Sequence, residues 1–578
     1  MNTGSEGAVE KKKRKYFPQT FWIANTMEIF ERMAWYGFFS VSSLYITGAV
    51  SEGGLGFTSE QRGTLQGVVT FILYLLPVLT GALADRFGYK KTFFIAYAIM
   101  IPAYFLLGQC NTYETFFLAF LMVAVGAATF KPVVVGTVAK VTDESNSSMG
   151  FGIFYMMVNV GGLLGPIVAG IIRGWSWDYV FIASSCWIGV NYIWLLIFYK
   201  EPTTEAGTKE ARSLKKVFSD MVEVLGNGRF FITVFVVLVS MMSASQGWFT
   251  WKTVGIFIPV WIVLNIFVDS FLKKSANPLM PPMKIGNWKF ALYLLILSGF
   301  WTSFNQIWIT MPEYIRDFVD TSDMLPSLGG FFQAISVIKT DVIVRVLSPH
   351  LTEAGIALSS IDMHALVEDL LAARVRIGAD QLEQLIGSVI VSGEAVSQGQ
   401  MAAMANQLID MGRQVNPEYL IKFDAGAIVV FQLLVSFIIA KWNPFSSMVG
   451  GVIIASIAIG LTGLLQTGWP VAAAIVGFAF GEMMASPKSQ EYISIIAPGN
   501  KKALYMGYYF WAVALGNLFG GILSGQGYGA VARGVISPKL MWGAFGALGI
   551  FTALCMVLYD KFVIKGSSAD MKAQMNGE

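Results

Sequence analysis

Long apolar runs separated by short polar breaks dominate the chain. A bilayer core about 30 Å thick is crossed by roughly 20 helical residues. Fourteen runs are of that order: 20–48, 61–84, 92–109, 115–138, 149–172, 178–199, 229–246, 253–272, 288–312, 425–441, 445–466, 469–490, 503–525 and 540–563. The pattern predicts an all-α polytopic membrane protein of 14 spans. One stretch breaks it. Residues 318–424 carry 13 Asp/Glu against 6 Lys/Arg, and around 351–376 and 379–413 apolar residues recur at the spacing of amphipathic soluble helices. They predict an inserted helical domain, a cap over the spans or a docking element.

Alternating the sides of the membrane from a cytoplasmic start sorts the loops by charge. Lys and Arg gather in 85–91, 139–148, 200–216, 273–284, 441–444 and 498–502, whereas the intervening loops are poor in them. That is the distribution expected of cytoplasmic loops. It puts the basic run 11–15 and the lysines at 561, 565 and 572 in the cytoplasm, and the insertion 318–424 outside. The first apolar stretch is too long for a signal-peptide core and lacks a small-residue cleavage site. It reads as a retained span. A bacterial inner membrane is the expected location.

Composition agrees: 55% of the 578 residues are hydrophobic and 13% charged, against about 25% charged in soluble domains. A net charge of +3 argues for no nucleic-acid partner. Cys110, Cys186 and Cys555 lie in or beside apolar runs and suggest no disulfide framework. Both histidines, His350 and His364, fall in the insertion. No metal-ligand spacing, nucleophile elbow or phosphate loop is present, so an enzyme is not expected.

Charge inside the spans carries the chemistry. Glu28, Glu31 and Arg32 sit within the first span, where a buried charge costs about 2.5–3.5 kcal/mol on insertion scales. Such groups face a polar cavity or each other. Glu28 and Arg32 are four residues apart and share a helix face. Lys131 lies within the fourth span and Glu482 within the C-terminal half. Cations on one half and an anion on the other suit a ligand with a carboxylate at one end and an amine at the other. Arginine holds a carboxylate by a two-pronged, charge-assisted contact.

The first cytoplasmic loop, Gly81-Ala-Leu-Ala-Asp85-Arg86-Phe-Gly-Tyr-Lys-Lys, resembles the loop signature of the major facilitator superfamily, and Gly81, Asp85 and Arg86 are its candidate gating residues. Glu28-x-x-Glu31-Arg32-Met-x-x-Tyr36-Gly37 then resembles the ExxERFxYYG motif of the proton-dependent oligopeptide transporter branch. Tyr74 ahead of Pro77, Phe130-Lys131-Pro132, Phe154-Tyr155-x-x-x-Asn159-x-Gly161, Gly481-Glu482-x-x-x-Ser486-Pro487 and Met506-Gly507-x-Tyr509-Phe510 resemble further motifs of that family, in order. The span pair at 229–272 is similar to the two additional helices of its bacterial members.

The resemblance implies a facilitator fold of two six-helix bundles with two extra helices. In this sequence the divisions are a basic N-terminus 1–19, a first bundle 20–199, a linker with the extra spans 200–287, the opening helix of the second bundle 288–317, the extracytoplasmic helical insertion 318–424, the rest of the second bundle 425–565 and a tail 566–578. It implies a proton-coupled symporter importing di- and tripeptides, without a cofactor and driven by the proton gradient. Glu28, Glu31 and Arg32 would couple protons. Arg32, Tyr36, Tyr74, Lys131, Asn159, Trp301, Asn305, Glu482 and Tyr509 would bind substrate. The partners expected are a small peptide, protons and the bilayer around a monomer, with an unidentified partner at 318–424 left open. Three departures from the family's pattern bear on this, the insertion 318–424 and two lost charges. The family's seventh-span acid is replaced by Asn305, and the arginine seven residues after the motif arginine by Phe39. In family members those charges pair across the halves. Their joint loss opens the alternative of another anionic or zwitterionic solute, such as nitrate or a metabolite. A non-transporting receptor or scaffold acting through 318–424 is the rival from another class.

Overall fold

A computed structural model describes residues 17–50, 53–142, 146–202, 228–272, 283, 287–351, 358–390, 396–439, 442–496 and 502–564. The basic run 11–15, most of the 200–216 loop and the tail 566–578 lie outside the described residues.

Helices follow the apolar runs. The first half contains α1 (Gln19–Thr47), α2 (Ser59–Leu75), α3 (Pro77–Phe87), α4 (Tyr89–Leu107), α5 (Tyr113–Val141), α6 (Ser147–Ile172) and α7 (Trp177–Ile193), the last extended by a π turn to Phe198. The extra pair is α8 (Gly228–Ser245) and α9 (Trp251–Leu272). The second half opens with α10 (Trp288–Phe304), α11 (Gln306–Ile309) and α12 (Met311–Phe318), one column broken twice. The insertion holds α13 (Phe331–Ile335), α14 (Thr340–Leu351), α15 (Met363–Ala372), α16 (Ala379–Val389) and α17 (Gln398–Gly412). The second half then resumes with α18 (Pro417–Ile439), α19 (Pro444–Thr462), α20 (Gly468–Ile496), α21 (Lys502–Ala532) and α22 (Pro538–Phe562). Nine helices among the described residues are long and apolar enough to cross a membrane on length and composition alone.

Local chemistry sets the ends. Thr58 caps α2 in a reciprocal box with Gln61, satisfying two otherwise orphaned backbone groups. Pro77 sits at the first position of α3. Its missing N–H costs nothing there but breaks the column from α2. One expected boundary moves. α18 begins at Pro417, eight residues ahead of the expected 425, so Lys422 and Asp424 belong to the spanning column rather than to the insertion.

Each half has its own apolar core, one built on α1–α5 and α7 and the other on α10–α12 and α18–α22. The insertion has a third, around Leu347, Leu366, Leu382 and Leu408. Two of its segments are clasped side by side: Arg376 N–H donates to the Gly412 carbonyl at 2.8 Å, and Gln414 N–H to the Arg374 carbonyl at 3.0 Å. Below that clasp, Arg376 donates to the Arg316 carbonyl at 2.9 Å and the Gln414 amide to Asp320 at 3.2 Å. Burial pushes the Asp320 carboxyl up, but hydrogen bonds from Ser322 and Gln414 and the Arg376 charge outweigh it and hold the group below its ordinary value.

The two halves meet closely at the end opposite the N-terminus. Here α2 packs on α21. A Cβ at Gly67 would come 3.1 Å from the Leu518 carbonyl oxygen, so the two backbones approach as only small residues allow. The opposite end has no comparable tie among the described residues, and a cavity lies between.

Candidate functional site

The cavity encloses about 250 Å³ between the halves. Tyr36 and Phe39 of α1, Tyr74 of α2, Asn159 of α6, Trp301 and Asn305 at the break after α10, Lys422 and Asp424 of α18 and Glu482 of α20 all line it. Six of the nine residues expected to bind substrate therefore face one space: Tyr36, Tyr74, Asn159, Trp301, Asn305 and Glu482.

The first-half charges stand just behind this lining. Arg32 Nε lies 3.1 Å from Glu28 Oε1, and its guanidinium also pairs with Glu31. Both glutamates expected to handle protons thus hold the same cation, deep in the fold. Gly161 makes room for them: a Cβ there would come 2.5 Å from the Arg32 Cβ. The Arg32 guanidinium sits 5.7 Å from the Tyr36 ring centre, and Lys131 Nζ 4.3 Å from that of Tyr74. Two cavity-lining tyrosines are therefore backed by cations, whose attraction to the ring face is worth about 0.5–2 kcal/mol.

Tyr509 stands elsewhere. Its ring packs edge-on to Trp301 at 6.2 Å and its hydroxyl accepts from Ser489 at 3.3 Å. It supports the Trp301 wall from behind. Gly81 presses against Pro132, 3.2 Å from where its Cβ would stand, and so joins α3 to the Lys131 segment of α5. Arg86 lies over the Phe87 ring at 5.6 Å. The Asp85 side chain lies outside what the structure describes.

Six charged residues were not singled out from the sequence: Lys422, Asp424, Arg62, Glu313, Arg173 and Glu418. Asp424 and Glu482 bring their carboxyls into hydrogen-bonding contact. Lys422 enters the same cavity, its Nζ 4.7 Å from the Trp308 ring centre and 5.6 Å from that of Tyr36. The signal available was charge at the mouth of an apolar run, which the acidic composition of 318–424 obscured. Arg62 is fully buried against Glu313 of α12, with Nε 2.8 Å from Oε1. Arg62 also donates to the Ile309 carbonyl at 2.7 Å and to Ser524 Oγ at 2.9 Å, while Thr47 and Ser59 donate to Glu313, each at 3.2 Å. This one pair joins α1, α2, α12 and α21 at the closed end. Beside it Arg173 holds Glu418 by a two-pronged contact at 2.8 and 3.0 Å, tying α6 to α18.

Phe39 and Asn305 both face the cavity. A buried charge pair, Arg62–Glu313, lies at the closed end, its acid eight residues further along the same column as Asn305.

Comparison with known proteins places this arrangement. The model of the Major Facilitator Superfamily matches residues 26–267. An uncharacterized transporter, YclF, of Bacillus subtilis is 26% identical over 53% of this chain, which spans 60% of that relative's length. The peptide transporter YePEPT of Yersinia enterocolitica is 22% identical over 86% of both chains. Among solved structures, a POT family transporter in complex with a thioalcohol-conjugated peptide superposes with a TM-score of 0.60 at 15% identity, covering 94% of this chain and 96% of that one. A POT family transporter in complex with 5-aminolevulinic acid gives 0.57 at 15%, covering 94% and 96%. Motifs, fold and relatives agree: residues 26–267 match the Major Facilitator Superfamily model, and the chain shares its fold with transporters of the POT family.

Proposed function

We propose that the chain is a proton-coupled symporter that imports di- and tripeptides across a bacterial inner membrane by alternating access. The observation that carries this reading is the cavity between the halves. A carboxyl pair, Asp424 and Glu482, stands on one wall, and two tyrosines backed by Arg32 and Lys131 stand on the other. A peptide's amine and carboxylate fit opposite ends of that space. Relatives named as a peptide transporter in Yersinia enterocolitica and a di-/tripeptide transporter in Lactococcus lactis support it.

Coupling follows from the shared cation. Arg32 is held by both Glu28 and Glu31. A ligand carboxylate drawn to Arg32 and Lys131 competes for that charge and releases a glutamate to take up a proton. With cytoplasmic termini, the closed end faces outward, the cavity communicates with the cytoplasm, and the Gly81–Arg86 loop closes the inner side in the opposite state.

Proteoliposomes with an imposed proton gradient test the reading. Labelled dipeptide should accumulate against its own gradient. Replacing both Glu28 and Glu31 by glutamine should abolish accumulation while leaving peptide exchange in the absence of a gradient. Accumulation that survives the double replacement would refute the coupling mechanism. The neutral lining at Phe39 and Asn305 favours a second reading, in which the solute is another zwitterion or organic anion. Stabilisation against heat by such a solute, with none by peptides, would establish it.

A further inference from the structure

A second cleft, larger than the central cavity, lies between the insertion and the first half. It holds about 520 Å³, within the range of about 300–1,000 Å³ usual for small-molecule sites. One wall is the α6–α7 turn and the start of α7, with Arg173, Trp177 and Asp178. The other is α14 and α15 of the insertion, with Arg345 and Asp369, and Arg374 just beyond. The two walls belong to different halves. Arg376 of the insertion donates to the Arg316 and Val319 carbonyls at 2.9 and 3.3 Å, and Thr321 N–H donates to Gln414 at 2.7 Å. The insertion is thereby fixed to the end of α12 and moves with the second half. At one edge the walls come together: a Cβ at Gly174 would stand 3.7 Å from the Val337 carbonyl oxygen.

Charges of both signs line the cleft. Arg173 is committed to Glu418 by its two-pronged contact, and Asp369 faces His350 at 3.6 Å. Arg345 and Asp178 are placed differently. The Arg345 side chain is 70% exposed, with Asp341 at 4.0 Å, a surface pairing that holds it weakly. Asp178 is exposed in the first turn of α7. The insertion wall thus presents a guanidinium and the first-half wall a carboxylate to one space, with Trp177 and Val346 as apolar surface. A short zwitterion with an apolar body is complementary to that lining. We propose that the cleft is a second, extracytoplasmic peptide site, in which Arg345 takes the carboxylate and Asp178 the amine, and that its occupancy holds the outer side closed. The proposal rests on the peptide reading and the orientation given above. A ligand bound across both walls is held only while they stand together, so it stabilises the closed state by mass action. The solute that loads the central cavity therefore restrains the outer opening that import requires, and uptake limits itself at high external concentration.

The test is calorimetric titration of the full chain with Ala-Ala, together with uptake of labelled Ala-Ala into proteoliposomes under an imposed proton gradient. The wild type should show two binding sites, and its uptake should pass through a maximum and then fall as external Ala-Ala rises. Arg345→Gln and Asp178→Asn should each weaken the second site at least about tenfold, the scale of one charge-assisted hydrogen bond. Each should also remove the fall while leaving uptake at low concentration unchanged. A single site in the wild type, which needs no variant to fold, would overturn the proposal. So would uptake that saturates without falling, or a second site that survives both replacements. Absence of all Ala-Ala binding and uptake would instead overturn the peptide reading, and this proposal with it.

Discussion

The Arg62–Glu313 pair gives the sharpest test of how the closed end is held. Both side chains are fully excluded from solvent. Glu313→Gln keeps the shape of the acid but leaves the guanidinium without a counter-charge. Breaking one partner of a buried ion pair costs about 3–5 kcal/mol. Arg62 keeps its hydrogen bonds to the Ile309 carbonyl and Ser524, so the lower end, about 3 kcal/mol, applies. That penalty falls on the closed state alone, because separating the halves lets water reach Arg62. The open fraction should therefore rise relative to closed by roughly a hundredfold. Fluorescent labels at Val50 and Val535, exposed residues on the two halves near this end, would read it as growth of a long-distance population. A distance distribution unchanged from wild type in folded Glu313→Gln protein would refute the reasoning. The double variant Arg62→Met/Glu313→Met gives an independent check. Replacing both members of a buried pair by apolar residues is often neutral or stabilising, so the closed population should return. A double variant as open as the single one would show that the unpaired charge is not the cause.

Gly161→Val should lower the thermal midpoint, because its side chain would enter space held by Arg32 Cβ, 2.5 Å from the new Cβ. Overpacking of this kind costs about 1–3 kcal/mol, and an unchanged midpoint would show that α1 and α6 separate freely. The Asp320 carboxyl is held below its ordinary value. Its contribution to anchoring the insertion is therefore complete above the unfolded value of about 3.9 and is lost as pH falls through the lower folded value. Hydrogen exchange around 414–416 should thus be flat between pH 5 and 8, after correction for intrinsic rates, and should quicken below about pH 4. Asp320→Asn should remove that acid transition.

What was legible in the sequence was whatever a single helix decides. A run of apolar residues must cross or be buried, so the columns stood close to where their hydropathy put them. Glu28, Glu31 and Arg32 were conspicuous because charge in such a run is expensive, and their mutual pairing is local to α1. Residues 417–424, Pro-Glu-Tyr-Leu-Ile-Lys-Phe-Asp, hid the start of α18 because three charges in eight residues read as the end of a polar insertion. Each of the three is settled by something remote: Glu418 by Arg173 on α6, and Lys422 and Asp424 by the cavity. Likewise Arg62 and Glu313 stand 251 residues apart. Each lies near the end of its own span, and nothing local to either helix marks the other as its partner. Tyr509 was placed in the lining because its motif is aromatic, but the turn of α21 sends its hydroxyl to Ser489.

The Arg62–Glu313 pair also bears on how the cavity and the closed end communicate. α1 runs unbroken from the Arg32 cluster to Thr47, which donates to Glu313. Fifteen residues of helix separate the two, about 22 Å at 1.5 Å per residue. A unit charge change at that distance acts with roughly 0.8 kcal/mol at an effective dielectric near 20. The local cost of breaking the pair is several times larger, so protonation near Arg32 cannot open the closed end by field alone. The message must be mechanical, and the two columns that meet at Glu313 differ in how they carry it. α1 is one rigid rod. The facing column is interrupted at Asn305 and again at Thr310, where the Thr310 hydroxyl donates to the Gln306 side chain at 2.6 Å. Asn305 and Trp308 line the cavity on one side of the second break, and Glu313 lies on the other. A ligand that shifts Trp301 or Trp308 therefore acts on a short, twice-broken segment whose far end carries the gate acid. The two columns that meet at Glu313 are thus one unbroken rod and one twice-broken segment.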